Sequence, residues 1–189
     1  MPAWSPDGTR IAFSPLSRET GVWHIGLMTA DGSNQTMLTN DTMLADQWAS
    51  WAPNGTILFV RKRGALHGGD VFAMNPDGTG LVQLTKSGYV GGYALSPDGT
   101  KIAIHNKRNH RIEVIPADGV GAPVTLVDSD FGCVYVGISW SPDGQALALA
   151  CSGIEMFTGS DLYIAKADGS SITIVPNTGG VFDPAWRPE

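Results

Sequence analysis

Cysteine is scarce in this sequence. The 189 residues hold two, Cys133 and Cys151, too few to staple a disulfide-built scaffold. Charge is thin as well: 16% of residues are charged, and twelve Lys and Arg face eighteen Asp and Glu, for a net charge of -6. A chain that acidic is a poor general binder of nucleic acid. No uncharged apolar run approaches the roughly 18 residues of a membrane-spanning helix. No leader is legible ahead of Pro2, where the patterned sequence begins, so the expectation is a cytoplasmic chain or one whose leader has been removed. Helical periodicity is missing throughout. So are a Gly-x-Ser-x-Gly nucleophile elbow and a Gly-rich phosphate loop. No two histidines stand four apart as a helical zinc motif requires. The expectation is a non-catalytic chain without a cofactor or metal-ligand set.

Glycine and proline, by contrast, are abundant, at 24 and 12 residues. Many short strands joined by tight turns need both. The residues repeat. Trp4-Ser-Pro-Asp-Gly8 recurs as Trp51-Ala-Pro-Asn-Gly55, Leu95-Ser-Pro-Asp-Gly99 and Trp140-Ser-Pro-Asp-Gly144, and a fifth copy opens at Pro184-Ala-Trp186. First positions are spaced by 47, 44, 45 and 46 residues. A second marker follows in each unit: Ala30-Asp-Gly32, Pro76-Asp-Gly78, Ala117-Asp-Gly119 and Ala167-Asp-Gly169. Two units close on Leu-Thr, at Leu38-Thr39 and Leu84-Thr85.

Each unit contains four short runs rich in Ile, Val, Leu and aromatics. In unit one they are 2–4, 10–14, 22–29 and 35–39; in unit two 48–51, 56–61, 70–74 and 81–85. Unit three gives 92–95, 101–105, 111–115 and 123–127, and unit four 136–140, 145–151, 161–166 and 171–175. In Ser-Pro-Asp-Gly, proline presets φ at the second position and glycine accepts φ > 0 at the fourth, which suits a type I turn with a bulge. Four antiparallel strands at this period describe a β-propeller blade. The predicted fold is all-β: one domain over 1–189, with repeats at 1–45, 46–90, 91–134 and 135–180, and a spare inner strand at 181–186 that starts a fifth.

At these residues the sequence resembles the TolB-type, WD40-like propeller repeat. Pro2–Gly8 with Ile11-Ala12-Phe13 fits the family's first hairpin, and Leu162-Tyr163-Ile164 its third strand. The resemblance implies that first strands line a central channel and fourth strands form the rim. It covers binding scaffolds, propellers attached to peptidases and other hydrolases, and metal-dependent lyases, so it does not fix a function. It tilts the compartment toward a bacterial, periplasmic or extracytoplasmic setting. Four blades are fewer than the family's usual six or more. Three closures stay open: a lone four-bladed ring, a homodimer closing an eight-bladed ring by strand exchange, or a piece of a longer propeller.

Candidate contacts lie on the loops between second and third strands. Arg61, Lys62, Arg63 and His67 occupy that loop and its flanks in unit two; His105, Lys107, Arg108, His110 and Arg111 occupy it in unit three. Six of the twelve cations fall there, against neighbouring loops with Asp41, Asp46, Asp128, Asp130 and Glu155. The pattern predicts a basic surface for a protein or small anionic ligand, carried by Arg61, Arg63, His67, His105, Lys107, Arg108 and His110. Solvated loops that happen to be basic are the plainer alternative. Asp183 stands where an inner strand would face the channel and could hold a structural cation there if several copies converged. Trp4, Trp51, Trp140 and Trp186 recur once per repeat, as blade-to-blade packing requires. Trp23 and Trp48 break that pattern and are candidate contacts. Cys133 and Cys151 flank the first hairpin of unit four with a register off by one or two residues. Free buried thiols are the simpler expectation and a disulfide the alternative. Two functions from different classes follow: a binding scaffold without catalysis, or the accessory propeller of a larger hydrolase or peptidase. A metal-dependent lyase is a third.

Overall fold

The computed structural model describes residues 2–64, 68–128, 135–152, 160–176, 178–181 and 183–186, with the side chains of Tyr135, Val136, Ser152 and Ser160 excepted. Its described residues form sixteen strands and no helix. They build four four-stranded antiparallel sheets, each in simple sequential order. The first blade is β1 (Ala3–Trp4), β2 (Arg10–Phe13), β3 (Gly26–Thr29) and β4 (Thr36–Met37); the second is β5 (Leu44–Trp51), β6 (Ile57–Arg63), β7 (Asp70–Met74) and β8 (Val82–Gln83). The third is β9 (Val90–Leu95), β10 (Lys101–Asn106), β11 (Arg111–Pro116) and β12 (Val124–Val127). The fourth is β13 (Tyr135–Trp140), β14 (Ala146–Ser152), β15 (Ser160–Lys166) and β16 (Ile172–Val175). All sixteen runs anticipated from sequence are strands, with ends displaced by a few residues.

The chain divides into two compact units, 1–89 and 90–189, each holding two blades. In the first, Ala12, Ile25, Leu27, Ala49, Ile57, Phe59 and Met74 form one buried cluster. In the second, Ile112, Val114, Val127, Trp140, Leu147, Leu149 and Ala165 belong to another. Second strands carry unbroken apolar runs because both of their faces are covered: Ile57 to Val60 in β6 are all buried. Fourth strands are edges, and both residues of β4 and of β8 are exposed.

The turn chemistry explains the regularity. In three hairpins the serine hydroxyl, from Ser5, Ser96 or Ser141, donates to the turn aspartate at 2.6 Å and accepts the amide five residues on at 2.9 Å. The turn aspartate also takes the amide two residues ahead at 3.0 Å. The glycine adopts φ of 68° at Gly8 and 73° at Gly99, where a side chain would be strained. The closing Leu-Thr has a role too. Thr39 and Thr85 are buried, and their hydroxyls accept the amides of Ile25 and Val71 at 2.9 Å, tying the end of each fourth strand to the third. Thr178 accepts from Leu162 in the same way at 3.1 Å, a copy hidden in sequence because Asn177 replaces the leucine.

The repeated tryptophan is a tether. Trp51 donates its indole N–H to the Ala3 carbonyl of the preceding blade at 3.1 Å, and Trp140 does so to Ala94 at 3.0 Å. Trp186 repeats the contact on Ser139 at 3.0 Å. Residues 183–186 nevertheless form no strand: the tether of a fifth inner strand is made, while no second strand pairs with it among the described residues. Trp4 is 60% exposed, so the first copy does not pack as the others do. Cys151 is disulfide-bonded, which corrects the expectation of free thiols. The β13–β14 ladder opposes Val136 to Cys151 and so delivers Cys151 to the strand end from which position 133 is two residues away. Cys133 itself lies outside the described residues.

Candidate functional site

Blade two builds its loop flank around a buried ion pair. Asp46, in the middle of β5, is fully buried. Arg61 on β6 meets it in register and donates through Nε and Nη2 at 2.7 and 2.9 Å. The guanidinium also lies over the rings of Phe59 and Phe72, 5.5 and 5.2 Å from their centroids. Asp46 raises the Arg61 pKa further through the hydrogen bonds and its charge. Arg61 therefore spends its charge inside the blade rather than at its surface. Arg63, two residues on, is exposed, and its guanidinium pairs with no acidic group among the described residues. It borders a cavity of about 310 Å³ with Leu44, Gly68, Asp70 and Gln83. Asp70 there is occupied by Thr85, Gln83 and the Gly88 amide. His67 lies outside the described residues.

Blade three treats its loop residues unequally. His105 sits on β10 at 2% exposure. Burial, then the nearby His110 and Lys107 charges, push its pKa down to about 4, so it is a neutral core residue at pH 7. His110 adopts φ 56° in the turn, and the two rings lie 6.4 Å apart. The Nε2 of His105 and the Nδ1 of His110 are buried without a hydrogen-bond partner. Lys107 lays its stem along Gly91, where a Cβ would meet its Cγ at 2.5 Å; glycine there is what lets the lysine cross the β9 backbone. Arg108 is exposed at the turn, its amide donating to Asn106. Arg111 pairs with Asp128 at 2.9 Å, with both side chains largely exposed. Asp183 is exposed on a bend. Among the described residues, no three His, Cys, Asp or Glu side chains gather as a metal ion would require.

A second feature lies in unit one. Trp23, at 38% exposure, and Trp48 line a cleft of about 130 Å³ with Ser14 and Gln47. Sequence reasoning found the two tryptophans as departures from the repeat. It missed Ser14 and Gln47, because nothing in their local sequence separates them from other strand-end polar residues.

Comparison with known proteins places this geometry. The TolB beta propeller domain (PD40) matches residues 1–189. Over 85 residues, 44% of this chain and 17% of that protein, the sequence is 34% identical to the Tol-Pal system protein TolB of Gluconobacter oxydans (strain 621H). The crystal structure of TolB from Acinetobacter baumannii superposes with a TM-score of 0.78 at 23% identity, covering 100% of this chain and 46% of that one. An oligogalacturonate lyase in complex with manganese superposes at 0.70 with 12% identity, covering 92% of this chain and 51% of that one. This chain thus spans under half of the TolB structure it resembles, and likeness at such identity carries the fold rather than an activity. With a family match running its whole length, the chain belongs to the TolB β-propeller domain family.

Proposed function

We propose that this chain is a non-catalytic binding scaffold that engages an acidic protein surface through the loops between second and third strands. The observation that carries the reading is the division of labour among its cations. Asp46 neutralises Arg61 inside blade two, and Asp128 partners Arg111 in blade three. Arg63 is left exposed beside a cavity, and Lys107 is exposed in the blade-three turn. Each unit thereby presents positive charge on its own loop within a chain of net charge -6. Such rim charges steer association and set its salt dependence more than they set depth of binding. The matched relative is a Tol-Pal system protein, which makes a component of such a system the first partner to try. The disulfide at Cys151 favours an oxidising, extracytoplasmic compartment.

The test is biolayer interferometry of the purified chain on immobilised Pal from the same cell. Replacing Arg63, Lys107 and Arg108 with Ala is expected to slow association several-fold and flatten its salt dependence, since each exposed pair contributes roughly 0.2–1 kcal/mol. An association rate unchanged in all three variants rejects the loop cations as the contact.

A further inference from the structure

One face of blade two is left open at the end of β6. The registers set Leu44 opposite Arg63, Arg61 opposite Asp70, and Phe59 opposite Phe72, which in turn opposes Gln83. Alternation therefore puts Leu44, Arg61, Arg63, Asp70, Phe72 and Gln83 on one face of the sheet. These side chains, with Gly68, Gly69 and Gly88, border the cavity of about 310 Å³, a volume at the lower end for a small-ligand site. Part of its wall is fixed from below: Asp46 holds Arg61, whose guanidinium lies 5.2 Å from the Phe72 ring centroid. Gly68 and Gly69 are buried. A Cβ on Gly68 would run into the Tyr89 backbone, and one on Gly69 into the Arg61 carbonyl. Glycine at both positions lets the chain return against β6 and adds no side chain to the wall.

The charges on this border are committed unequally. The Asp70 carboxylate is satisfied: it accepts the Thr85 hydroxyl at 2.9 Å, the Gly88 amide at 3.0 Å and the Gln83 amide nitrogen at 3.2 Å. The Lys62 ammonium is taken up by the Trp48 ring and the Gln47 amide oxygen. Arg63 is exposed, and no acidic group among the described residues lies within ion-pair distance of it. Asp41 feels its charge from farther off: the Met43 and Leu44 amides hold that carboxyl low first, and the Arg61 and Arg63 charges follow. The Asp41 Oδ1 accepts those two amides at 2.7 and 2.9 Å and so stays with its own loop.

We infer that the hollow takes an aliphatic side chain of the acidic partner, with a carboxylate two residues away in the partner's chain held on Arg63. Such an anchor presupposes the loop-cation reading of Arg63 and adds a sequence to it: leucine, isoleucine or valine, then any residue, then aspartate or glutamate. Leu44, Phe72 and the glycine backbone give an aliphatic group apolar contact, and the unpaired charge beside them is positive. A phosphate fits worse, because the Asp70 carboxylate on the same border repels a dianion and Arg63 alone offers it a fork of donors. Leu44 and Arg63 are directly opposed, with Cβ atoms about 4.5–5.5 Å apart, and the guanidinium reaches farther out. In an extended segment residues i and i+2 face the same side about 6.6–6.8 Å apart, so one residue separates the group over Leu44 from the one on Arg63. The aliphatic anchor supplies depth of binding, and the exposed cation supplies steering and register.

The test is NMR titration of the nitrogen-labelled full chain with the peptide acetyl-Leu-Ser-Asp-amide. Saturable shifts are expected at the Gly69 and Gly88 amides and at the Arg63 side chain. The Ala-Ser-Asp peptide is expected to bind about tenfold more weakly, and the Leu-Ser-Asn peptide about threefold more weakly. Arg63→Gln is expected to bind the aspartate and asparagine peptides equally and to keep the leucine preference. Leu44→Trp fills the hollow while keeping Arg63, so it is expected to lose the leucine preference and keep the aspartate preference. If Leu44→Trp fails to fold, Gln83→Trp on the exposed edge strand answers the same question. Equal binding of the leucine and alanine peptides, with Arg63 still selecting aspartate, overturns the aliphatic anchor and leaves the loop cations standing. Equal binding of the aspartate and asparagine peptides by the unaltered chain overturns the role of Arg63 and the anchor together, as does the absence of saturable shifts at these residues.

Discussion

Removing Asp46 should be among the most damaging single changes in the first unit. The carboxylate is fully buried, and the Arg61 side chain is only 16% exposed. Two charge-assisted hydrogen bonds at 2.7 and 2.9 Å hold them together. At about 4 Å between charge centres and an effective dielectric constant near 20, the attraction is about 4 kcal/mol. Desolvation of both groups offsets much of that while the pair is intact, so its net contribution is small. Asp46→Ala removes the attraction and leaves the Arg61 desolvation in place, with the guanidinium still over Phe59 and Phe72. The expected cost is about 3–5 kcal/mol. For a chain of this size melting as one body, that is a fall of roughly 6–20 °C. The double variant Asp46→Leu with Arg61→Met refills the space with apolar side chains and should stand within about 1 kcal/mol of wild type or above it. Urea unfolding of the single and double variants, followed by tryptophan fluorescence and circular dichroism, supplies the measurement. The effect should change little between 0.05 and 0.5 M salt, because a buried pair is screened weakly. A loss under about 1 kcal/mol for Asp46→Ala would refute the reasoning, as would a double variant as unstable as the single one.

Other expectations follow from the same geometry. Hydrogen bonds from Ser5 and Ser96, then from Thr9 and Thr100, hold the Asp7 and Asp98 carboxyls down at about 2. The unfolded chain therefore binds their protons first, and the stability they contribute is complete above about pH 4 and lost as pH falls toward 2. Asp7→Asn with Asp98→Asn should flatten thermal stability across that window. His105 has the opposite chemistry and the same direction. Its folded pKa near 4 lies below the ordinary 6.5, so acidification from pH 6.5 to 4 should cost up to about 3 kcal/mol, and His105→Leu should abolish that slope in a pH-dependent melt. Trp51→Phe and Trp140→Phe should each cost about 0.5–1.5 kcal/mol for the lost hydrogen bond. Trp4→Phe, at a residue 60% exposed, should be near neutral in the same urea assay.

The sequence made the fold legible because every local signal repeats. The Pro-Asp-Gly turns, the apolar second strands and the indole spacing each occur in register, and the structure turns each into one recurring contact. The Leu-Thr ending was visible as a marker, but its work was not: only the fold brings the Thr39 hydroxyl onto the Ile25 amide, fourteen positions back. The candidate site was legible in outline and misleading in detail. Counting cations treated Arg61 and Arg63 alike. Their separation by two places them on the same side of β6, and only the partner strand shows that one faces Asp46 while the other, opposite Leu44 at the end of the ladder, is exposed. His105 and Lys107 diverge for a similar reason. His105 still belongs to β10 and is buried there, whereas Lys107 belongs to the turn. His105 closed the strand anticipated at 101–105 and was still counted with the loop's ligands, and its burial in the blade makes it a core histidine instead.

Departures from the repeat need a different physical account from the repeat itself. Conforming residues are explained by what the blade needs: Trp51 and Trp140 tether, Ser96 and Asp98 fold the turn. Trp48 follows neither pattern. Its position demands a left-handed backbone, for which glycine is the inexpensive choice, and the chain spends tryptophan there instead. The indole tether of the repeat is made by Trp51, three residues later. What the fold shows for it is a ring lying under the Lys62 ammonium, 3.7 Å from its centroid, at a cleft it lines with Trp23 and Ser14, so the strained backbone is held by contacts the repeat pattern does not contain.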